Sequence, residues 1–175
     1  MPVVWDRAAL DAGVRDLASA LVLRLAGVER WALVGIREGG VPLADALAAE
    51  VERRSGTRPL RGDVDITLYR DDLYTGLEKP VLGDTELPFS VTGCGIVLVD
   101  DVLFTGRTVR AAMGEVWDFG RPDFIKLAVL VDRGHRELPV AADFAALTLS
   151  TEKTDLVTVD WARGEVRLSG PAAAG

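Results

Sequence analysis

Three almost unbroken runs of apolar residues constrain the fold of this chain more than any other feature. They read WALVGI at residues 31–36, GIVLV at 95–99 and FIKLAVLVD at 124–132. Strands that are covered on both faces have this character, whereas half-exposed strands alternate apolar and polar residues. The three runs therefore predict buried strands of a mainly parallel sheet.

Helical patterns lie between these runs. Apolar residues recur at helical spacing from residue 7 to 25, with Asp6 placed to cap the helix and Gly27 placed to stop it. Further helices are predicted from Pro42 to about residue 53 and from about residue 108 to 119. Strands that alternate with helices predict an α/β fold, with a central, mostly parallel sheet flanked by helices.

The remaining segments predict smaller features. Residues 63–70 alternate polar and apolar side chains, which is typical of a strand. Residues 71–88 are polar and without a period, so they predict a lid or a disordered segment. Near the end, DLVTVDWARGEVRLS predicts a β-hairpin with its turn at residues 162–164, and the last six residues are expected to fray.

Length, charge and cysteine content narrow the class of protein. A chain of 175 residues is most simply one domain, spanning residues 1–175. A net charge of −7 lowers the expectation of tight nucleic-acid binding, which usually needs a basic face. Cys94 is the single cysteine, which excludes an internal disulfide and fits a reducing cytoplasm. No run is long enough to span a membrane, and the N-terminus lacks the features of a signal peptide.

Unusual loops follow each of the three apolar runs. They read REGG at residues 37–40, DDVLFTGRT at 100–108 and DRGHR at 132–136. Because the carboxyl ends of parallel strands meet at one edge of a sheet, we expect these loops to converge on one site.

The middle loop has the chemistry of a sugar-phosphate site. Its second half, TGRT at residues 105–108, enters a helix whose first turn carries free N–H groups and a partial positive charge, as a phosphate requires. Asp100 and Asp101 precede it and supply acceptors for sugar hydroxyls or a metal. Taken by themselves, the two acids would be explained by a turn followed by a helix cap. The full arrangement after a buried strand instead favours a site for ribose 5-phosphate.

The stretch IVLVDDVLFTGRT at residues 96–108 resembles the phosphoribosyl pyrophosphate (PRPP) motif of type I phosphoribosyltransferases. VGIREGGVPLA, DITLYRDDL and LAVLVDRGHRELPV are similar to the other signatures of one branch, the bifunctional pyrimidine operon regulator/uracil phosphoribosyltransferase (PyrR) family. The resemblance implies the type I phosphoribosyltransferase fold with a small hood. It also implies a cytoplasmic enzyme that converts uracil and PRPP, with Mg2+, to UMP and pyrophosphate.

The resemblance also implies roles for individual residues. Asp100 and Asp101 would hold the ribose hydroxyls and act in catalysis. The 5-phosphate would bind Val102, Leu103, Phe104, Thr105, Gly106, Arg107 and Thr108. The pyrophosphate would bind a loop of Arg37, Glu38, Gly39 and Gly40. The hood would begin at Tyr69 and Arg70, and uracil would meet Asp132 and Arg133. The protein would add no metal-ligand set of its own, because Mg2+ would be carried mainly by PRPP.

The sequence departs from the family at two places. The pyrophosphate loop usually reads Thr-Arg-Gly where this chain has Glu38, Gly39 and Gly40, so a cation is missing and an acid is present. Either Arg37 compensates or the affinity for PRPP falls. Phe104 replaces the usual tyrosine of the phosphate loop.

Regulation is a second implied function. The family binds leader messenger RNA in response to UMP and so attenuates transcription of pyrimidine genes. Residues 6–30 hold four arginines and four acids, which argues against a strong RNA surface. A nucleotide-sensing RNA-binding regulator with little catalysis and a purine phosphoribosyltransferase are the alternatives. His135 is expected to shape its loop or to face RNA, and self-association as a homodimer or a larger oligomer is expected from the family.

Overall fold

The computed structural model describes residues 2–67 and 84–170. Its central sheet has five parallel strands in the order β3-β2-β4-β5-β6. The strands are β2 (Trp31–Ile36), β3 (Leu60–Val64), β4 (Gly95–Leu103), β5 (Phe124–Asp132) and β6 (Phe144–Thr148). The predicted α/β fold with a parallel sheet is therefore confirmed.

Three helices cover the two faces of this sheet: α1 (Arg7–Arg24), α2 (Gly40–Ser55) and α3 (Arg107–Asp118). Asp6 caps α1 as predicted, because its carboxylate accepts a hydrogen bond from the backbone N–H of Ala9 at 2.9 Å. Alternate residues of each central strand enter opposite cores. Val97 packs with α1 and α2, whereas its neighbour Ile96 packs with α3. This two-sided burial explains the unbroken apolar runs.

A second sheet is antiparallel and has the order β1-β8-β7. Its strands are β1 (Val3–Trp5), β7 (Leu156–Asp160) and β8 (Glu165–Ser169). β7 and β8 form the predicted hairpin, with the turn at residues 161–164. This small sheet lies against α1, and β7 also contacts β4.

Two predicted boundaries were wrong. β4 continues through both acids to Leu103 because it stays paired with β5 as far as the Leu103–Asp132 pair, so Asp100 and Asp101 lie on a strand and not in a loop. β3 begins at Leu60 and ends at Val64, where its pairing with β2 ends. The predicted strand at residues 63–70 therefore started too late, and its last three residues lie outside the described part of the chain.

The order of the strands in the sheet indicates where a ligand site is expected. From β2 the chain passes to β3 on one side, and it then returns to β4 on the other side of β2. In open α/β sheets, ligands bind at the carboxyl ends of the strands where the order reverses in this way. The seam between β2 and β4 is therefore the expected site. In the part of the chain that the structure describes, no helix has both the length and the apolar character needed to cross a membrane.

Candidate active site

The loop after β2 lies directly against β4. A β-carbon at Gly40 would overlap the carbonyl oxygen of Val99, and one at Gly39 would overlap the carboxylate of Asp101. Glycine is therefore required at both positions if the two segments are to approach this closely. The structure thus brings the predicted pyrophosphate loop and the predicted catalytic acids into contact.

Arg37 is the cation that remains in this loop. Its backbone N–H donates to the carbonyl of Val64 at 2.9 Å, and this bond fixes the start of the loop. Its guanidinium lies 3.9 Å from a carboxylate oxygen of Asp84 and 3.9 Å from one of Glu86. Both acids are largely exposed, so these pairs are weak and an incoming anion can compete with them. Glu38 is exposed.

Asp100 and Asp101 differ in their surroundings because successive side chains of a strand point to opposite sides. Asp100 is buried, and its Oδ1 accepts a hydrogen bond from the N–H of Asp101 at 3.0 Å. Asp101 is partly buried, and its Oδ1 accepts from the N–H of Val102 at 2.8 Å. Burial raises the pKa of Asp100 well above the usual carboxyl range, and the nearby charge of Asp101 adds to this rise. Burial also raises the pKa of Asp101.

The predicted 5-phosphate loop joins β4 to α3. Gly106 has a φ of 91° and immediately precedes the first helical residue, Arg107. The hydroxyl of Thr105 accepts from the N–H of Arg107 at 3.3 Å, which closes a tight turn at the helix start. Thr108 lies exposed in the first turn of α3. The loop therefore presents the start of a helix, as the phosphate cradle requires.

Asp132 and Arg133 lie beside this loop, but their side chains are engaged within the protein. The carboxylate of Asp132 accepts from the guanidinium of Arg136 at 2.5 and 2.6 Å. It also accepts from the N–H of Gly134 at 3.0 Å. Arg133 is only 5% exposed, and its terminal nitrogens donate to the carbonyls of Glu152 and Asp155, each at 2.8 Å.

Sequence reasoning missed how firmly residues 133–138 hold the 5-phosphate loop. Arg133 donates its N–H to the carbonyl of Leu103 at 3.1 Å, and Glu137 donates its N–H to the carbonyl of Thr105 at 2.9 Å. Arg136 donates from its side chain to the carbonyl of Phe104 at 2.7 Å. The cations of this segment suggested ligand contacts or surface ion pairs. The acceptors are backbone carbonyls, which every residue has, so the sequence does not indicate which of them these side chains bind.

The predicted hood residues Tyr69 and Arg70 lie outside the described residues. The glycine loop and the two acids meet at the seam of β2 and β4. The loop that opens α3 follows the acids along the chain and is held by the segment after β5.

The chain matches known protein families over most of its length. Residues 6–162 match the phosphoribosyl transferase domain family. The chain is 46% identical over 156 residues to the bifunctional protein PyrR of Thermoanaerobacter sp. strain X514, which covers 89% of this chain and 88% of that protein. It is 47% identical over 143 residues to the bifunctional protein PyrR of Deinococcus radiodurans, with 82% and 78% covered.

Solved structures with the same fold are far more distant in sequence. The hypoxanthine phosphoribosyltransferase of Trypanosoma cruzi superposes with a TM-score of 0.75 at 13% identity and covers 98% of both chains. The hypoxanthine phosphoribosyltransferase of Staphylococcus aureus superposes with a TM-score of 0.73 at 15% identity, covering 99% of this chain and 93% of that chain. These two similarities show a shared fold.

Proposed function

Because the chain belongs to the phosphoribosyl transferase domain family and, within it, to the PyrR family, we propose that it is a uracil phosphoribosyltransferase. It converts uracil and PRPP to UMP and pyrophosphate. One observation carries the proposal: the acids of β4 meet a glycine loop, and the strand that bears them leads directly into the loop that opens a helix. This arrangement fits a ribose with a pyrophosphate at one end and a phosphate at the other.

We propose that residues 102–108 bind the 5-phosphate and that residues 37–40 bind the pyrophosphate. A bound 5-phosphate would lie at the start of α3, where the partial charge of the helix and the free N–H groups stabilise anions. The pyrophosphate would lie at the loop that contains Gly39 and Gly40, both of which pack closely against β4. Arg37 would then supply the charge that the family's loop arginine usually provides.

Asp100 and Asp101 are the proposed catalytic residues. Departure of the pyrophosphate builds positive charge on the sugar ring, as in glycosyl transfer generally. Two carboxylates fixed beside the ring stabilise that charge most when it has developed, so they lower the barrier to the chemical step. The raised pKa values follow from the burial that makes these charges effective.

Mg2+ accompanies PRPP in this proposal. The Asp101 carboxylate is partly exposed and is the kind of hard oxygen ligand that Mg2+ prefers. Within residues 2–67 and 84–170, no group of three or more His, Cys, Asp or Glu side chains could hold a metal. When bound, Mg2+ neutralises negative charge on the leaving pyrophosphate.

We place the uracil site next to Asp132 and Arg133. Since their side chains are largely engaged, the backbone of this segment is the part left to recognise the base. Tyr69 and Arg70 remain the proposed start of a hood that closes over PRPP and excludes water. A purine phosphoribosyltransferase is the alternative enzyme, and an assay that compares uracil with purine bases distinguishes the two.

UMP-dependent binding of pyrimidine-operon leader RNA is the second proposed function. Identity of 46–47% to proteins named bifunctional supports it. The affinity for RNA is limited because two arginines are already engaged within the protein. Arg7 donates to the carbonyls of Trp161 and Ala162. Arg30 donates to the carbonyls of Ser90 and Thr92. Weak binding, with a shallower salt dependence than a strongly basic RNA surface would give, is therefore expected. A nucleotide sensor with little catalysis would bind this RNA and UMP but form no product.

Three further expectations remain proposals: one domain over residues 1–175, a cytoplasmic location and self-association. The single, buried Cys94 supports a reducing compartment. Trp117 is 55% exposed near the end of α3, and it is the aromatic side chain to test in a homodimer or larger oligomer.

The decisive experiment is a product assay. Purified protein is mixed with uracil, PRPP and Mg2+, and UMP and pyrophosphate are measured, with hypoxanthine and adenine in place of uracil as controls. UMP formation from uracil alone supports the proposal. Product from a purine base would establish the alternative enzyme, and absence of product with retained UMP binding would favour the sensor.

A further inference from the structure

The ring of Phe104 is held on two sides by basic side chains from the loop after β5. The guanidinium carbon of Arg133 lies over the ring, 4.0 Å from its centroid. The imidazole of His135 meets the same ring edge-on, with the two centroids 5.9 Å apart and the planes at 73°. Arg136 binds the carbonyl of this residue. One residue of the 5-phosphate loop is therefore fixed, in side chain and backbone, by a single neighbouring loop.

Arg133 and His135 also bind the turn at residues 151–155. Arg133 donates to two carbonyls of this turn. His135 Nε2 lies 2.7 Å from the carbonyl oxygen of Thr151, which can only accept, so this nitrogen carries the proton. In return, the Thr151 hydroxyl donates to the carbonyl of Arg133 at 3.1 Å. The two basic side chains thus touch the phosphate loop and the turn at the same time.

Two further features mark this cluster as more than ordinary packing. His135 has a φ of 62°, a left-handed conformation that is unfavourable for a residue with a side chain, so its contacts must hold it there. Arg133 is buried, and its Nε has no hydrogen-bond partner within the described structure. A buried cation that keeps an unpaired N–H depends on its stacking with the ring and on its two carbonyl acceptors.

We propose that Phe104 is a positioning residue that couples the 5-phosphate loop to the turn at residues 151–155. A phosphate bound to the loop would strengthen the contacts that hold the ring of Phe104. The fixed ring would hold the guanidinium of Arg133 in the plane from which it reaches both carbonyls of the turn. This inference rests on the proposed function only in requiring that the loop binds a phosphate.

Hydrogen–deuterium exchange of the turn tests the coupling without catalysis. The probe is ribose 5-phosphate, added to wild type, Phe104→Ala and Phe119→Ala at concentrations that saturate each variant in calorimetry. In wild type, the ligand should slow exchange of the amides at residues 151–155 by on the order of tenfold. Phe104→Ala should bind ribose 5-phosphate on the order of tenfold more weakly and leave the turn unprotected when saturated. Phe119→Ala is the matched control because that ring is half exposed on α3, and it should behave as wild type.

Phe104→Leu and Arg133→Lys keep the test valid if Phe104→Ala does not fold. Leucine fills space without a ring face, and a lysine ammonium cannot stack and reach both carbonyls together. Each variant should raise the KM for PRPP more than the KM for uracil, with a smaller change in kcat. A rise confined to the KM for uracil in Arg133→Lys would show a direct contact with the base and overturn the proposal.

Other outcomes separate this proposal from the proposed function. Saturating ribose 5-phosphate that leaves exchange of the turn unchanged in wild type overturns the coupling alone. Binding and protection without any UMP formation overturn the proposed reaction and leave the coupling standing. Failure of wild type to bind ribose 5-phosphate overturns the coupling, and UMP formation in the product assay would still leave the proposed reaction standing.

Discussion

The carboxylate of Asp101 occupies the space that a side chain at Gly39 would need. The position at which the family usually carries an arginine is thus filled from the neighbouring strand. A side chain at position 39 can therefore be introduced only if the carboxylate of Asp101 moves.

Gly39→Ala is therefore expected to lower kcat/KM for PRPP by on the order of 10–100-fold, because it displaces Asp101, a proposed catalytic acid. Gly39→Arg should not raise the affinity for PRPP, although it restores the family's cation. Steady-state kinetics measure both effects. Gly170→Ala is the matched control, since a β-carbon there meets nothing within 4 Å. A gain in PRPP affinity for Gly39→Arg would contradict the role given to this contact.

Asp100→Asn should stabilise the protein while slowing the reaction. A buried carboxylate whose folded-state pKa is raised binds protons more tightly in the folded state than in the unfolded state. The free energy of unfolding therefore falls as pH rises from the ordinary carboxyl pKa through the raised one. At pH 7 the neutral amide escapes this cost and still accepts from the N–H of Asp101.

Thermal melts of Asp100→Asn at pH 7 should show a rise in Tm of roughly 2–4 °C, together with a fall in kcat of about 100-fold or more. The difference in Tm between the variant and wild type should shrink as pH is lowered toward the ordinary carboxyl range of about 4. A variant that is less stable than wild type at pH 7 would show that the charge of Asp100 is compensated in the folded protein.

The pH dependence of kcat should reveal the raised pKa values of the acid pair. Both carboxyl groups must be ionised to stabilise a cationic sugar, and burial makes them harder to ionise. The acid limb of the kcat profile is therefore expected above the ordinary carboxyl pKa of about 4. Circular dichroism over the same range controls for unfolding. An acid limb at or below pH 4 would rule out this assignment.

Thr105→Val should weaken binding of PRPP and of ribose 5-phosphate by on the order of tenfold, because the loop loses a hydroxyl that closes the turn at the helix start. Calorimetry with ribose 5-phosphate measures the affinity directly. Thr57→Val is the control, since Thr57 is exposed between α2 and β3 and far along the chain from both phosphate loops. Equal affinity in the two variants would move the phosphate away from this loop.

Local sequence patterns predicted most of the fold. Buried strands, the cap at Asp6 and the final hairpin each have a signature within a few residues. β1 and β6 were missed because short edge strands have little periodicity. The end of β4 was missed because its last residues are held by pairing with β5, which is not a local property.

The candidate site likewise has features that local sequence predicted and features that depend on distant segments. The residue types of DDVLFTGRT alone predicted an anion-binding loop, whereas the pyrophosphate role of REGG was implied by the family resemblance. The partners of Arg133, His135 and Arg136 could not be predicted, because they are mainly backbone carbonyls and a ring from distant segments. The meeting of Gly39 with Asp101 likewise depends on the register of two neighbouring strands.

The reversal of strand order between β2 and β4 has a consequence for how the molecule responds to heat and denaturant. The two anion loops leave different strands, so both are correctly spaced only while the middle of the sheet is intact. A ligand that spans the seam binds the folded chain and not the unfolded one. At a concentration 100 times its Kd, such a ligand adds about 2.7 kcal/mol to the free energy of unfolding. The free energy of unfolding should therefore rise with the concentration of PRPP or UMP. The abundance of these ligands would then also affect how long the protein stays folded.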